Sequence, residues 1–340
     1  METSIITRIQ EGLTEKKTNL EEWRETATKD LKKVCLCSND EAVLDEHLHV
    51  IDDSLQKIEE GVLGVCQVCQ GTVDDELLLM DYTASVCLSH YSEEELRQLE
   101  SELELSQVVQ RSLLPQQVPS ISGFDIAAFS RPAQIVSGDY FDFLKFKDGT
   151  YGLVVADVSG HGVSAGMVMT SLQMAFHALA FEDSSPSTVL ERINHIYLHN
   201  VNLSTFVTIF FAHLDPSTKL LSYANAGHNP PLIHRSGTNE TFRLKPTGAA
   251  VGIMEHFNVR SENFQLMAGD ILLLYTDGVT EALDSQTNEQ FGFERLAEVV
   301  RQNKNLSTEG LTTSIREAVN KFTRGALLED DVTLVVSKVR

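Results

Sequence analysis

The sequence predicts an α+β fold: a layered sandwich of strands and helices from about residue 119 onward, preceded by an α-helical hairpin and a small cysteine-rich module. Three observations predict it. Strand-like runs recur at 125–130, 151–158, 205–214, 219–225, 257–265, 270–275 and 332–339, some joined by short turns such as Asp215-Pro-Ser-Thr. Longer helix-like runs interrupt them at 163–181, 186–200, 293–303 and 307–324, a mixture that layers helices on sheets. All five cysteines lie before residue 90, so the N-terminal part is organised differently from the rest.

In chain order, residues 5–33 carry apolar side chains at loose helical spacing (Ile6, Ile9, Leu13, Leu20, Trp23, Leu31). Ser38-Asn-Asp can cap a second helix over 41–60, with Val43, Leu44, Leu48, Ile51, Leu55 and Ile58 on one face and Gly61 as its stop. Two helices with a short connection make an antiparallel hairpin. Cys66-Gln-Val-Cys69 follows and, after seventeen residues, Cys87-Leu-Ser-His90. Two such half-sites in a chain without a disulfide framework predict one closed, tetrahedral, structural Zn²⁺ held by Cys66, Cys69, Cys87 and His90. Cys35 and Cys37 are read as idle thiols. Ser92-Glu-Glu-Glu opens a capping box for a helix over 92–114 that Pro115 stops. Leu96, Leu99, Leu103, Ser106, Gln110 and Leu113 alternate by three and four, which fits either a short coiled coil in a homodimer or a helix packed on the following domain. The domain reading is 1–91, 92–118 and 119–340.

The formal net charge of −22 argues against broad nucleic-acid binding, which needs clustered Lys and Arg. No run of about 18 apolar residues occurs, so no membrane span is expected. Met-Glu-Thr-Ser lacks the basic start and apolar stretch of a signal peptide, and the expected location is cytoplasmic.

The chemistry sits in four acidic motifs: Val136-Ser-Gly-Asp-Tyr-Phe-Asp142, Val155-Ala-Asp-Val-Ser-Gly-His-Gly162, Tyr275-Thr-Asp-Gly-Val-Thr-Glu-Ala282 and Glu329-Asp-Asp-Val-Thr-Leu-Val-Val336. In three of them an Asp sits where an apolar run meets a Gly turn, and in the fourth an Asp pair opens such a run. Asp139, Asp157, Asp277 and Asp330 can thereby reach one sheet edge from distant segments. Converging carboxylates with no Cys or His among them suit hard cations, Mn²⁺ or Mg²⁺. Two such ions make a phosphoester-hydrolysing site. A G-x-S-x-G nucleophile, a Walker loop and a G-x-G-x-x-G loop are absent.

Together with Val109-Gln-Arg-Ser-Leu-Leu-Pro115, Pro132-Ala-Gln-Ile-Val-Ser-Gly-Asp139 and Ala224-Asn-Ala-Gly-His-Asn-Pro-Pro231, these motifs resemble the SpoIIE/RsbU-type branch of the metal-dependent protein phosphatases (PPM family) over residues 105–340. The resemblance implies an α-β-β-α sandwich: two antiparallel sheets flanked by helices, with two metal ions in a cleft at one end. It implies that Asp157 is shared by both ions, that the Val158 carbonyl is a ligand, that Asp277 and Asp330 complete one ion, and that Asp139 binds directly or through water. It also implies a phosphoserine or phosphothreonine protein substrate, typically an anti-sigma-factor antagonist. His161 is a candidate proton donor and Arg131 a candidate phosphate ligand, although neither stands at the family's usual position. His228 and Asn229 read as turn residues. The stretch Leu55-Gln-Lys-Ile-Glu-Glu-Gly-Val-Leu-Gly-Val-Cys-Gln-Val-Cys69, with Cys87 and His90, resembles the DksA/TraR zinc finger and its helical hairpin over residues 1–91. That implies the same zinc and, as an alternative function, regulation of transcription by docking on RNA polymerase. The hairpin tip Asn39-Asp-Glu-Ala-Val-Leu-Asp45 departs from that family's pattern.

Overall fold

The computed structural model describes residues 5–26, 42–80, 82–160, 162–180, 185–200, 205–254, 257–326 and 330–340. Cys35, Cys37, residues 39–41 of the hairpin tip and His161 lie outside the described residues. The chain divides into two compact units, one reaching Ser101 and the other comprising Glu102–Val201 and Thr205–Arg340.

In the first unit, α1 (Ile5–Thr26) and α2 (Ala42–Glu59) pair through Leu13, Leu48 and Ile51, all buried. Lys17 reaches Asp52 at 2.6 Å and Arg24 reaches Asp45 at 3.4 Å. Residue numbers thus rise on one helix as they fall on the other, which makes the pair antiparallel. Gly61, at φ 68°, takes the left-handed turn that ends α2. A short helix absent from the sequence expectations, α3 (Asp75–Met80), follows, and its Leu78 packs with Cys66, Val73 and Cys87 in a small core. The helix α4 (Glu93–Leu113) starts in the expected capping box: the Ser92 N–H donates to Glu95 at 2.8 Å and the Glu95 N–H to the Ser92 hydroxyl at 3.3 Å.

The second unit contains two five-stranded sheets. The strands and helices are, in chain order, β1 (Phe124–Arg131), β2 (Asp139–Lys145), β3 (Tyr151–Val158), α5 (Gly162–Leu179), α6 (Pro186–Asn200), β4 (Val207–Asp215), β5 (Leu220–Ala226), β6 (Leu232–Arg235), β7 (Glu240–Arg243), β8 (Glu262–Gln265), β9 (Asp270–Tyr275), α7 (Asp277–Thr280), α8 (Gly292–Gln302), α9 (Thr308–Phe322) and β10 (Val332–Val339). One sheet has the order β1-β10-β9-β6-β7 and the other β2-β3-β4-β5-β8. Every pairing within them is antiparallel.

The strands alternate their side chains between two cores, as a period of two requires. On β3, Leu153 and Val155 enter the layer between the sheets, with Phe210, Leu272 and Val335. Val154, Ala156 and Val158 face the other way, onto Met169, Leu172 and Phe176 of α5 and Leu190 and Ile193 of α6. A third core packs Leu273, Leu334 and Val336 against Leu296 and Val300 of α8 and Leu311 and Ile315 of α9. Both faces of each sheet are therefore covered, and β3, β9 and β10 read as nearly continuous apolar runs. The result is the four-layer, helix-sheet-sheet-helix arrangement of the sequence expectation.

Four strands differ from expectation. The run at 257–265 contributes only Glu262–Gln265 to a sheet. β6 and β7 are four residues each, too short for a periodicity to register. β2 hides behind the acidic residues Asp139 and Asp142, which look like loop composition, yet both are buried.

Candidate active site

The acidic motifs meet where strands of both sheets end. Asp139 opens β2 and Asp157 lies near the end of β3, and the two are direct partners in the antiparallel register. On the facing sheet, β9 ends at Tyr275, and Asp277 opens the short helix α7. Asp330 and Asp331 immediately precede β10, which pairs with β9. Two hairpin-like junctions, one per sheet, thus deliver the carboxylates to one end of the sandwich.

Buried polar contacts fix the arrangement. The Thr276 hydroxyl donates to Asp139 at 2.8 Å and accepts the Thr333 N–H at 3.0 Å, which ties the two sheets together at the site. Gly278 is required on steric grounds: a Cβ there would stand 2.1 Å from the Asp331 carbonyl oxygen. A Cβ on Gly138 would come within 3.1 Å of the Val158 carbonyl oxygen, the expected backbone ligand.

Of the Asp330-Asp331 pair, it is Asp331 that organises the loop before Asp139. Asp331 is buried and accepts from the Ala133 N–H at 2.7 Å, the Ser137 hydroxyl at 2.8 Å and the Gly138 N–H at 2.7 Å. It thereby holds the 132–138 loop that leads into Asp139. Asp330 is exposed, as a residue facing solvent or an ion should be. A run of two aspartates announces acidity, but which one turns inward depends on the facing loop. Gln110 of α4 clasps the same loop, donating to the Ser137 carbonyl at 2.7 Å and accepting the Ser137 N–H at 2.8 Å. His228 is also more than a turn former. It is buried, its Nδ1 lies 2.8 Å from the hydroxyl of Thr208, and Thr208 is the register partner of Asp157 on β4. Burial pulls the His228 pKa down to about 4, so the ring is neutral.

The electrostatics of the cluster are unfavourable as it stands. Burial pushes the Asp157 carboxyl up to about 9, with Asp139, Asp277, Asp330 and Asp331 adding to the effect. Burial and then Asp330 and Glu281 push Asp277 up to about 6. Burial raises Asp139 well above the ordinary value, against the hydrogen bonds from Thr333 and Thr276. The main charged neighbours of Asp157 are other carboxylates, so the missing balance is positive charge. Hard oxygen donors with a cation deficit fit Mg²⁺ or Mn²⁺. Beside the cluster opens a cavity of about 420 Å³ lined by Gly278, Glu281, Asn288 and Asp330 among others, large enough for a phosphorylated side chain.

In the first unit, Cys66, Cys69, Cys87 and His90 place their ligand atoms within 4.8 Å of one another. Among the described residues this is the one group of three or more potential ligands found this close together. The Cys66 and Cys87 sulfurs are 3.6 Å apart, and those of Cys69 and Cys87 are 3.8 Å apart. Two thiolates about 2.3 Å from a tetrahedral ion stand about 3.8 Å apart. Backbone N–H groups point at the sulfurs: Gly71 at Cys69 and Cys87 at Cys66, each at 3.4 Å. Burial raises the Cys66 thiol, but hydrogen bonds from the backbone of Cys69, Cys87 and Val68 outweigh it and bring its pKa down to about 6. The residues fit a soft-ligand tetrahedral ion.

Comparisons with known proteins agree with the second unit. The family model for stage II sporulation protein E (SpoIIE) matches residues 147–340. The phosphoserine phosphatase RsbU of Bacillus subtilis is 32% identical over 242 residues, which is 71% of this chain and 70% of that protein. Among solved structures, the RsbU and RsbW domains of Rv1364c from Mycobacterium tuberculosis superpose with a TM-score of 0.57 at 29% identity, over 67% of this chain and 63% of that one. The SiaA-PP2C domain of Pseudomonas aeruginosa, at 20% identity, shares the fold with a TM-score of 0.64 over 72% of this chain and 99% of that one. With the matched region spanning β3 to β10 and so containing Asp157, Asp277 and Asp330, the chain belongs to the SpoIIE family of protein serine/threonine phosphatases.

Proposed function

We propose that this phosphatase is metal-activated and removes phosphate from phosphoserine or phosphothreonine on a regulatory partner protein, of the kind represented by anti-sigma-factor antagonists. The observation that carries the metal reading is the cation-deficient cluster: Asp139 and Asp157 paired across β2 and β3, with Asp277 and Asp330 brought to them from the other sheet. Asp157 would be shared by two ions, with the Val158 carbonyl, Asp139, Asp277 and Asp330 completing the set. When bound, a pair of Mn²⁺ or Mg²⁺ ions supplies an activated water and balances the charge of the phosphoryl oxygens.

The chain's own contribution is positional. Thr276 orients the Asp139 carboxylate, and Asp331 holds the loop that presents it. Gly138 and Gly278 keep Cβ atoms out of the space at the Val158 carbonyl and at the Asp331 backbone. The 420 Å³ cavity beside Asp330 gives a phosphorylated residue access from solvent. The similarity to RsbU, a phosphoserine phosphatase by name, supports the substrate class.

The test is phosphate release from phosphorylated candidate partners, with Mn²⁺ and with chelator. Turnover is expected only with the metal, and Asp157→Asn and Asp277→Asn should each remove it while the chain stays folded. Wild-type rates in either variant would take these residues out of the site. We further propose one structural zinc in the first unit, held by Cys66, Cys69, Cys87 and His90. Four protein ligands close that site and leave no position for water, so it shapes the unit and does no hydrolysis.

A further inference from the structure

A second cavity, of about 470 Å³, lies between α9 and the sheet edge formed by β1 and β10. Its floor is apolar, with Phe129, Ile315 and Val332. Its rim carries Arg131 and Arg316. Both arginine side chains are exposed, and among the described residues neither forms a side-chain hydrogen bond or ion pair. The Arg316 guanidinium carbon lies over the Phe129 ring, 3.7 Å from its centroid, a cation–π contact. Among the described residues, Glu317 is the one carboxylate in the lining. In a chain of net charge −22, two unpaired guanidiniums beside an apolar trough form a local reversal of charge.

The position of the trough gives it a use. Arg131 ends β1 and is the register partner of Val332, next to Asp331 and Asp330. Two residues after Arg131, the Ala133 N–H donates to Asp331. The trough also shares Thr323 and Ala326 with the cavity beside Asp330. A chain segment presenting a phosphorylated residue to the acidic cluster would have flanking residues within reach of it.

We propose that this trough is a substrate-docking site that accepts an apolar side chain of the phosphoprotein, flanked by carboxylates that pair with Arg131 and Arg316. The apolar residue covers the floor, and the carboxylates meet the planar N–H forks of the guanidiniums. An acidic partner would otherwise be repelled by the chain's own charge, so the arginines select as well as attract. The proposal rests on the phosphoprotein reading above and specifies the recognition surface for it.

The test uses the full chain with Mn²⁺ and two phosphoserine peptides of equal length. One carries a Leu and two Asp beside the phosphoserine, and the other carries Gly and Ser in their place. Wild type is expected to favour the acidic-apolar peptide by about tenfold in kcat/KM, the quantity that sets discrimination between substrates. The preference should rise at low salt. Arg131→Ala/Arg316→Ala should bring the ratio of the two kcat/KM values close to one. Turnover of both peptides without preference in wild type would overturn the docking site and leave the phosphatase reading standing. A preference that survives in the double variant would also overturn it, by placing the selectivity elsewhere. No turnover of any phosphopeptide or phosphoprotein would overturn the substrate reading, and this proposal with it.

Discussion

At the scale of single residues, the second unit depends on a few side chains whose partners are backbone groups. Asp331 satisfies two backbone N–H groups and one hydroxyl at 2.7–2.8 Å in a buried setting. Hydrogen bonds to a charged acceptor contribute about 1.5–3 kcal/mol each, and buried donors left unpaired add a penalty. Asp331→Ala should therefore lower Tm by on the order of 10 °C, given about 2–4 °C per kcal/mol in a domain of this size. It should also cut phosphate release, because the loop before Asp139 loses its anchor. Differential scanning calorimetry beside the release assay checks both, and an unchanged Tm would show that the loop holds itself. Gly278→Ala makes the companion case: its Cβ would stand 2.1 Å from a carbonyl oxygen, so the backbone of α7 must move and Asp277 with it. Activity should be lost in that variant even though no acidic residue has been changed.

At the scale of elements, α4 is the informative one. Its apolar alternation left a coiled coil and a packed helix equally open. Leu99, Leu105, Val108 and Val109 are exposed, whereas Gln110, a polar residue of the expected seam, is buried. Its two bonds to Ser137, with Gln107 donating to the Ile135 carbonyl at 2.8 Å, fasten the C-terminal half of α4 to the active-site loop. Gln110→Leu leaves the backbone N–H and C=O of Ser137 unpaired, at a cost of about 2 kcal/mol or more, and should reduce turnover about tenfold. A variant with the wild-type rate and Tm would make α4 a passive spacer. The cysteine module gives an independent measurement: protein purified without chelator should carry about one zinc per chain, and Cys66→Ser/Cys87→Ser should lose it. Zinc content near zero in wild type would remove that site. These elements also show what was legible in sequence. Asp139, Asp157, Asp277 and the Cys-x-x-Cys spacing could be read because each combines a chemically distinctive residue with Gly punctuation or fixed spacing. β2 could not, because its buried acids imitate a loop. Asp331 and Gln110 could not either, because their roles are set by contacts with residues 27 to 198 positions away.

At the scale of the whole molecule, the sandwich concentrates negative charge at one end of a chain that is already strongly acidic. Covering both faces of both sheets buries the strand ends that carry Asp139 and Asp157, and the same packing that orders these carboxylates raises their pKa values. A carboxyl whose folded pKa lies above its unfolded value of about 3.8 favours the folded state only while protonated. That contribution is complete below about pH 3.8. It is lost as pH rises through about 6 for Asp277 and about 9 for Asp157. In chelator, Tm should therefore fall steadily between pH 5.5 and pH 9, because each proton released leaves another unbalanced charge in the cluster. Excess Mn²⁺ should reverse the trend, since the ions bind the deprotonated carboxylates and stabilise the fold by mass action. The doubly neutralised chain, Asp157→Asn/Asp277→Asn, separates this effect from the general self-repulsion of an acidic protein. It should show a flatter pH dependence in chelator and a much smaller response to Mn²⁺. If wild type and this variant lose stability with the same slope, and Mn²⁺ shifts both equally, the cluster is not where the cations bind.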